Sequence, residues 1–63
     1  MDEAIQLAVS VCPLVIIDVV DPDTIRFDFQ AAGLAREFAN ELAIREGDLR
    51  IVRLDREVIV RAI

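Results

Sequence analysis

Histidine, lysine, tyrosine and tryptophan are all missing from this 63-residue chain, and cysteine occurs once. With no imidazole and no side-chain amine, the usual general base near neutrality and the Schiff-base nucleophile are both excluded. Ser10, Thr24, Cys12 and the carboxylates are the only groups left for bond-making chemistry. Cys12 has no imidazole partner and reads as a buried or semi-buried structural thiol. A single cysteine rules out a disulfide within the monomer, and a lone thiol without histidine does not close a tetrahedral zinc site. No glycine-rich phosphate loop is present among two glycines. Asp18, Asp21, Asp23 and Asp28 lack the glycine and the distal glutamate of a calcium loop, so Asp21-Pro22-Asp23-Thr24 reads as a turn. Paired carboxylates support glycoside hydrolysis elsewhere, but a chain this short does not also build a sugar cleft. The expectation is a non-enzyme without cofactor or metal.

Long apolar runs are missing too. Val11–Ile17 is the longest, has Pro13 inside it, and falls far short of the ~20 residues of a membrane span. Met1-Asp2-Glu3 lacks the basic region of a secretory signal, so a cytoplasmic setting is expected, in the producing cell or in the cytoplasm of a host that it enters.

What is present is an uneven distribution of charge. Residues 1–31 hold six acids against Arg26 alone, which accounts for the whole net charge of −5, whereas residues 32–63 hold six acids and six arginines. Apolar residues make up 56% of the chain, more than the core of so small a domain easily covers, and self-association or a partner interface is the natural outlet. A single domain spanning 1–63 is expected.

The clearest element is a helix over 31–46. Ala31, Leu34, Ala35, Phe38 and Leu42 share one face, and Gly47 follows as the expected C-terminal cap. Its outward arc carries Arg36, Glu37, Asn40 and Glu41, with Ile44 beside the two glutamates. Ahead of it, 14–20 and 24–29 read as an antiparallel hairpin in which Val20 faces Thr24, Asp18 faces Arg26 and Ile16 faces Asp28. One hairpin face holds Val15, Ile17, Val19, Ile25, Phe27 and Phe29 and packs on the helix. The other holds Leu14, Ile16, Asp18, Val20, Arg26, Asp28 and Gln30 and is left uncovered. Residues 49–54 read as a third strand. The tail supports two readings: a strand over 57–63 sets Arg50 against Arg61, an unfavourable like-charge pair, while a helix capped by Asp55 runs into three consecutive β-branched residues. The strand is preferred, giving three to four strands. Residues 2–11 fit either strand or helix, and Pro13 favours a helix that it breaks. The fold expected is therefore α+β, a small two-layer domain of antiparallel sheet on one main helix with a helical N-terminal segment.

An acidic patch raises the local concentration of basic partners and steers them in, and it disfavours nucleic acid as a direct ligand. The reading that follows is a small inhibitor that occupies the basic, nucleic-acid-binding surface of another protein or complex. Its expected contact residues are Asp21, Asp23, Asp28, Glu37, Glu41 and Ile44. In size, acidity and lack of catalytic motifs the chain resembles phage-encoded anti-CRISPR proteins and other DNA mimics, which implies a viral or mobile-element origin. The competing expectation is a self-associating regulatory or scaffold module, a homodimer or larger, with Leu14, Ile16 and Val20 at the subunit interface and no inhibitory role. Thr24–Ile63 also resembles the strand, helix, strand arrangement of STAS-like domains, chiefly through Arg36-Glu37-Phe38-Ala39-Asn40-Glu41-Leu42. Ala31-Ala32-Gly33 stands where that family has a phosphorylatable serine turn, so no function is carried over.

Overall fold

In the computed structural model, which describes residues 2–63, six elements follow one another: α1 (Asp2–Val11), β1 (Ile16–Asp21), β2 (Thr24–Asp28), α2 (Ala32–Arg45), β3 (Leu49–Leu54) and β4 (Glu57–Ala62). The strands form one antiparallel sheet in the order β1-β2-β4-β3. Two hairpins thus meet through their second strands, and β1 and β3 are the edges. Both helices lie on one face of the sheet, where α1 packs on α2 and α2 on β3 and β4. This is the expected two-layer α+β arrangement, with the N-terminal segment helical and the tail a strand.

Helix α1 is held by Ala4, Leu7 and Ala8, all buried, and Asp2 and Glu3 occupy its first turn, where the helix dipole favours them. Cys12 closes it with an N–H bond to the Ala8 carbonyl, and the Val15 N–H returns to the Cys12 carbonyl across Pro13 and Leu14. Strand β1 therefore starts at Ile16, and Leu14 lies in the turn before it. Helix α2 buries Ala35, Phe38, Ala39 and Leu42 as its apolar spacing requires. Its end differs from expectation. The helix stops at Glu46, whose N–H reaches the Leu42 carbonyl, and Gly47 does not take the positive φ of a left-handed cap.

Alternation assigns the inner face of the sheet to Ile17, Ile25, Phe27, Ile51, Val58 and Val60. Phe27, Phe29 and Phe38 form the centre of the core, with ring centroids 4.9 Å apart for Phe27–Phe38 and Phe29–Phe38 and 6.3 Å for Phe27–Phe29. Each fully buried side chain of this size contributes about 1.5–3 kcal/mol. That scale explains why β4 forms although it sets Arg50 directly opposite Arg61. Burying Val58 and Val60 outweighs a like-charge neighbour worth about 0.2–1 kcal/mol. The two-residue turn Asp55-Arg56 helps, since Asp55 adopts φ 55°, the positive value that tight hairpins demand at their first position.

The first hairpin keeps the expected pairs Ile16–Asp28 and Asp18–Arg26, but a bulge at Val20 sets Asp21, not Val20, opposite Thr24. Bulges bend and twist edge strands, and Val19, expected against the helix, is 64% exposed beside this one. Gln30, expected to extend the outer face, instead leaves the strand at φ 64°. Among the described residues no helix is long and apolar enough to cross a membrane.

Candidate functional site

Strand directions decide which loops meet. Helix α1 runs down the molecule, β1 up, β2 down, α2 up, β3 down and β4 up. One end, called the upper end below, therefore collects the start of α1, the β1–β2 turn, the α2–β3 connection and the end of β4. Pairing makes the assembly continuous: the Ala62 N–H donates to the Asp23 carbonyl at 2.9 Å, and Ala62 pairs with Leu49, which follows Asp48. A shallow recess of about 480 Å³ sits there, lined by Asp2, Glu3, Glu46, Asp48 and the ends of β3 and β4.

Six carboxylates share this end: Asp2, Glu3, Asp21, Asp23, Glu46 and Asp48. Two strand spacings of ~4.8 Å separate the Asp23 and Asp48 chain positions, about one screening length at physiological salt. Glu46 registers the crowding directly. Its carboxyl is held above the ordinary value of 4.5, first by a hydrogen bond shared with Glu3 and then by the negative charge of Glu3 itself. The C-terminal end of the α2 dipole adds negative potential at the same place. Arg45 lines the neighbouring recess with Glu3, but its Nε donates to Glu41 Oε1 at 3.2 Å. Among the described residues no group of carboxylates and thiol is arranged to hold a metal ion. Arg50 and Arg61 lie at the same end on the open face of the sheet, beside Leu49 and Ala62, and the six carboxylates outnumber them, so the chemistry available at this end is attraction of and direct pairing with cationic groups.

The residues singled out from the sequence are spread over three places. Asp21 and Asp23 stay together at the upper end, where Asp21 Oδ1 also accepts the Asp23 N–H at 2.8 Å and shapes the turn. Asp28 lies four residues along β2, roughly 13 Å away at ~3.3 Å per residue, with its Oδ1 accepting the Gln30 N–H at 2.9 Å. Glu37, Glu41 and Ile44 stand on the outward arc of α2, on the opposite side of the sheet from Asp28, and Ile44 is 81% exposed. Leu14, Ile16 and Val20 are all exposed, in the turn, on the open sheet face and at the bulge respectively. Glu46 and Asp48 were not anticipated. The sequence signal for them is the pair of acids flanking Gly47, which becomes informative once α1 and α2 are placed antiparallel.

The open sheet face is organised by register into three rows. Ile16, Asp28, Glu57 and Leu54 form the lower row, Asp18, Arg26, Ile59 and Val52 the middle, and Asp21, Thr24, Arg61 and Arg50 the upper. Arg26 bridges Asp18 at 3.0 Å and Glu57 at 3.6 Å. Cys12 is a free, partly buried thiol away from both surfaces. No protein-family model, no curated protein and no solved structure matches the chain.

Proposed function

We propose that the protein acts without catalysis, as a small acidic inhibitor whose upper end occupies a basic surface built for nucleic acid on a partner protein. The supporting observation is the convergence of Asp2, Glu3, Asp21, Asp23, Glu46 and Asp48 from separate segments of the chain onto one end. A surface evolved to hold phosphates presents arginines and lysines at close spacing, and carboxylates gathered on one end of the molecule satisfy the same groups. Solubility alone requires charge but not its concentration in one place. Such partners are met in the cytoplasm, and a phage or mobile-element origin places the encounter in a host cell. Binding of this kind is steered by charge and weakens as salt rises.

The test takes the protein captured on the native partner, identified by affinity purification from the producing or host cell. Inhibition predicts that adding the small protein displaces duplex DNA or RNA from that partner in an anisotropy assay, with a displacement midpoint that rises steeply with salt. A partner that binds no nucleic acid, or displacement indifferent to salt, refutes the proposal.

A further inference from the structure

The two edges of the sheet carry opposite charge. Strand β1 holds Asp18 and Asp21 and no cation, whereas β3 holds Arg50 and Arg53 and no acid. Neither arginine has an ion-pair partner among the described residues. Both edges are also apolar, with Ile16, Val19 and Val20 exposed on β1 and Val52 and Leu54 exposed on β3. Hydrogen bonding gives each edge a defined phase. The Ala62 N–H bonds to the Asp23 carbonyl and the Phe29 N–H to the Arg56 carbonyl, so the hydrogen-bonded pairs between β2 and β4 are Ile25–Val60 and Phe27–Val58. Alternation then assigns Asp18–Arg26 and Val52–Ile59 to hydrogen-bonded pairs on either side. Ile17 and Val19 on β1, with Leu49, Ile51 and Arg53 on β3, therefore turn their backbone N–H and C=O groups away from the sheet. An edge in this state is a template for another strand.

We infer that the β3 edge of one copy pairs with the β1 edge of a second copy, extending the antiparallel sheet from molecule to molecule. Strand β3 runs down and β1 up, so a copy displaced sideways in the plane of the sheet meets its neighbour antiparallel, with the helices of both on the same side. Keeping the three rows in line sets Leu54 beside Ile16, Val52 beside Asp18 and Arg50 beside Asp21 on the open face. On the helix face it sets Arg53 beside Ile17 and Ile51 beside Val19, and each of these pairs joins residues whose backbone groups point outward, as an antiparallel ladder requires. The bulge at Val20 contributes, because it brings Asp21 to the open face in line with Arg50. Leu54, Ile16 and Val19 are covered. Arg50, which faces Arg61 within its own sheet, gains a carboxylate on its free side. A slip of two residues that sets Asp18 beside Arg50 brings Asp21 against Asp48 instead. Symmetric pairing is worse still: two β1 edges gather four aspartates and two β3 edges four arginines, and like charges across strands are destabilising. A contact between two different surfaces does not close at two copies. Asp23, Glu46 and Asp48 stay outside the paired segments, and the assembly is independent of the inhibitory role.

Proline at an outward-facing backbone position tests the inference, because it removes an N–H and puts its ring into the joint while costing the monomer no ladder bond. Val19→Pro closes the β1 edge, and Arg53→Pro closes the β3 edge. In sedimentation equilibrium the wild type is expected to grow beyond two copies as its concentration rises to submillimolar. Each proline variant alone is expected to be monomeric, and their equimolar mixture to stop at a heterodimer, since one open β3 edge then meets one open β1 edge. Arg50→Glu, which gives Arg61 a partner within its own sheet, is expected to weaken each contact by about tenfold, because it sets like charges beside Asp21. Circular dichroism verifies that every variant is folded. A monomeric wild type overturns the inference, and so does Arg50→Glu that grows as the wild type does. A dimer formed by Arg53→Pro alone reveals β1 pairing with β1, one formed by Val19→Pro alone reveals β3 pairing with β3, and either result refutes the proposal. A mixture that stays monomeric refutes it too.

Discussion

Replacing Phe38 by leucine tests whether the ring cluster holds the two layers together. Phe38 is fully buried and its ring lies 4.9 Å from those of both Phe27 and Phe29. Two aromatic pairs at ~0.5–1.5 kcal/mol each, with a further ~1 kcal/mol for the altered shape in a packed core, give a loss of about 2–4 kcal/mol. A domain of this length has only about 3–9 kcal/mol in total, so the variant should stay folded at low temperature but melt at least ~8 °C below wild type. Ile44→Ala on the same helix is the control. Ile44 is 81% exposed, and its truncation should change stability by no more than about 0.5 kcal/mol. With no tyrosine or tryptophan to report by fluorescence, urea melts followed by far-ultraviolet circular dichroism are the assay, at one protein concentration so that association does not shift the midpoint. A loss below ~1 kcal/mol for Phe38→Leu, or an equal loss for both variants, refutes the assignment of the core.

Helix α2 starts at Ala31, whose backbone has the extended geometry of an N-cap but whose side chain bonds to nothing. Ala31→Ser supplies the missing acceptor and should raise stability by about 0.5–1 kcal/mol, seen as a higher urea midpoint. The second prediction concerns pH. The Glu46 carboxyl is raised above 4.5 in the folded protein by Glu3, so the folded state binds more protons than the unfolded one over that window. The resulting stabilisation is complete below pH 4.5 and is lost as pH rises through the raised folded value. Glu46→Gln removes the titration, and relative to this variant the wild-type urea midpoint should fall between acid and neutral pH. A pH-independent difference between the two contradicts the Glu3–Glu46 contact.

Element types were legible in this sequence wherever one physical signal dominated. The spacing of Ala35, Phe38 and Leu42 specifies α2, and the alternation of Ile25, Phe27 and Val58, Val60 specifies the two central strands. Pro13 resolves α1 by elimination. Where two local signals competed, the weaker prediction failed: Gly47 suggested a left-handed cap, yet the helix end is closed by an ordinary backbone bond from Glu46. The Val20 bulge has no local signature, because nothing in Asp18-Val19-Val20-Asp21 marks which residue loses its partner. Arg50 and Arg61 looked like an obstacle to pairing because burial of Val58 and Val60 was not visible from the tail alone.

The candidate surface was less legible than the fold. Negative charge in the first half of the chain was evident, but its grouping depends on tertiary connectivity. Asp21 and Asp23 were anticipated together, and the structure adds Glu46 and Asp48 from the second half, whose balanced composition concealed them. Asp28 and Glu41 turned out to be occupied, one with the Gln30 N–H and the other with Arg45. Ile44 remains exposed on α2 with no structural explanation in the monomer.

The location of charge, rather than its amount, is the central claim, and charge-matched variants measure it most directly. One triple variant neutralises the upper end with Asp23→Asn, Glu46→Gln and Asp48→Asn. Another removes the same charge elsewhere with Glu37→Gln, Glu41→Gln and Asp55→Asn. Affinity for the captured partner should collapse in the first and survive in the second, with both folded. Equal losses in the two, or no loss in the first, contradict the account.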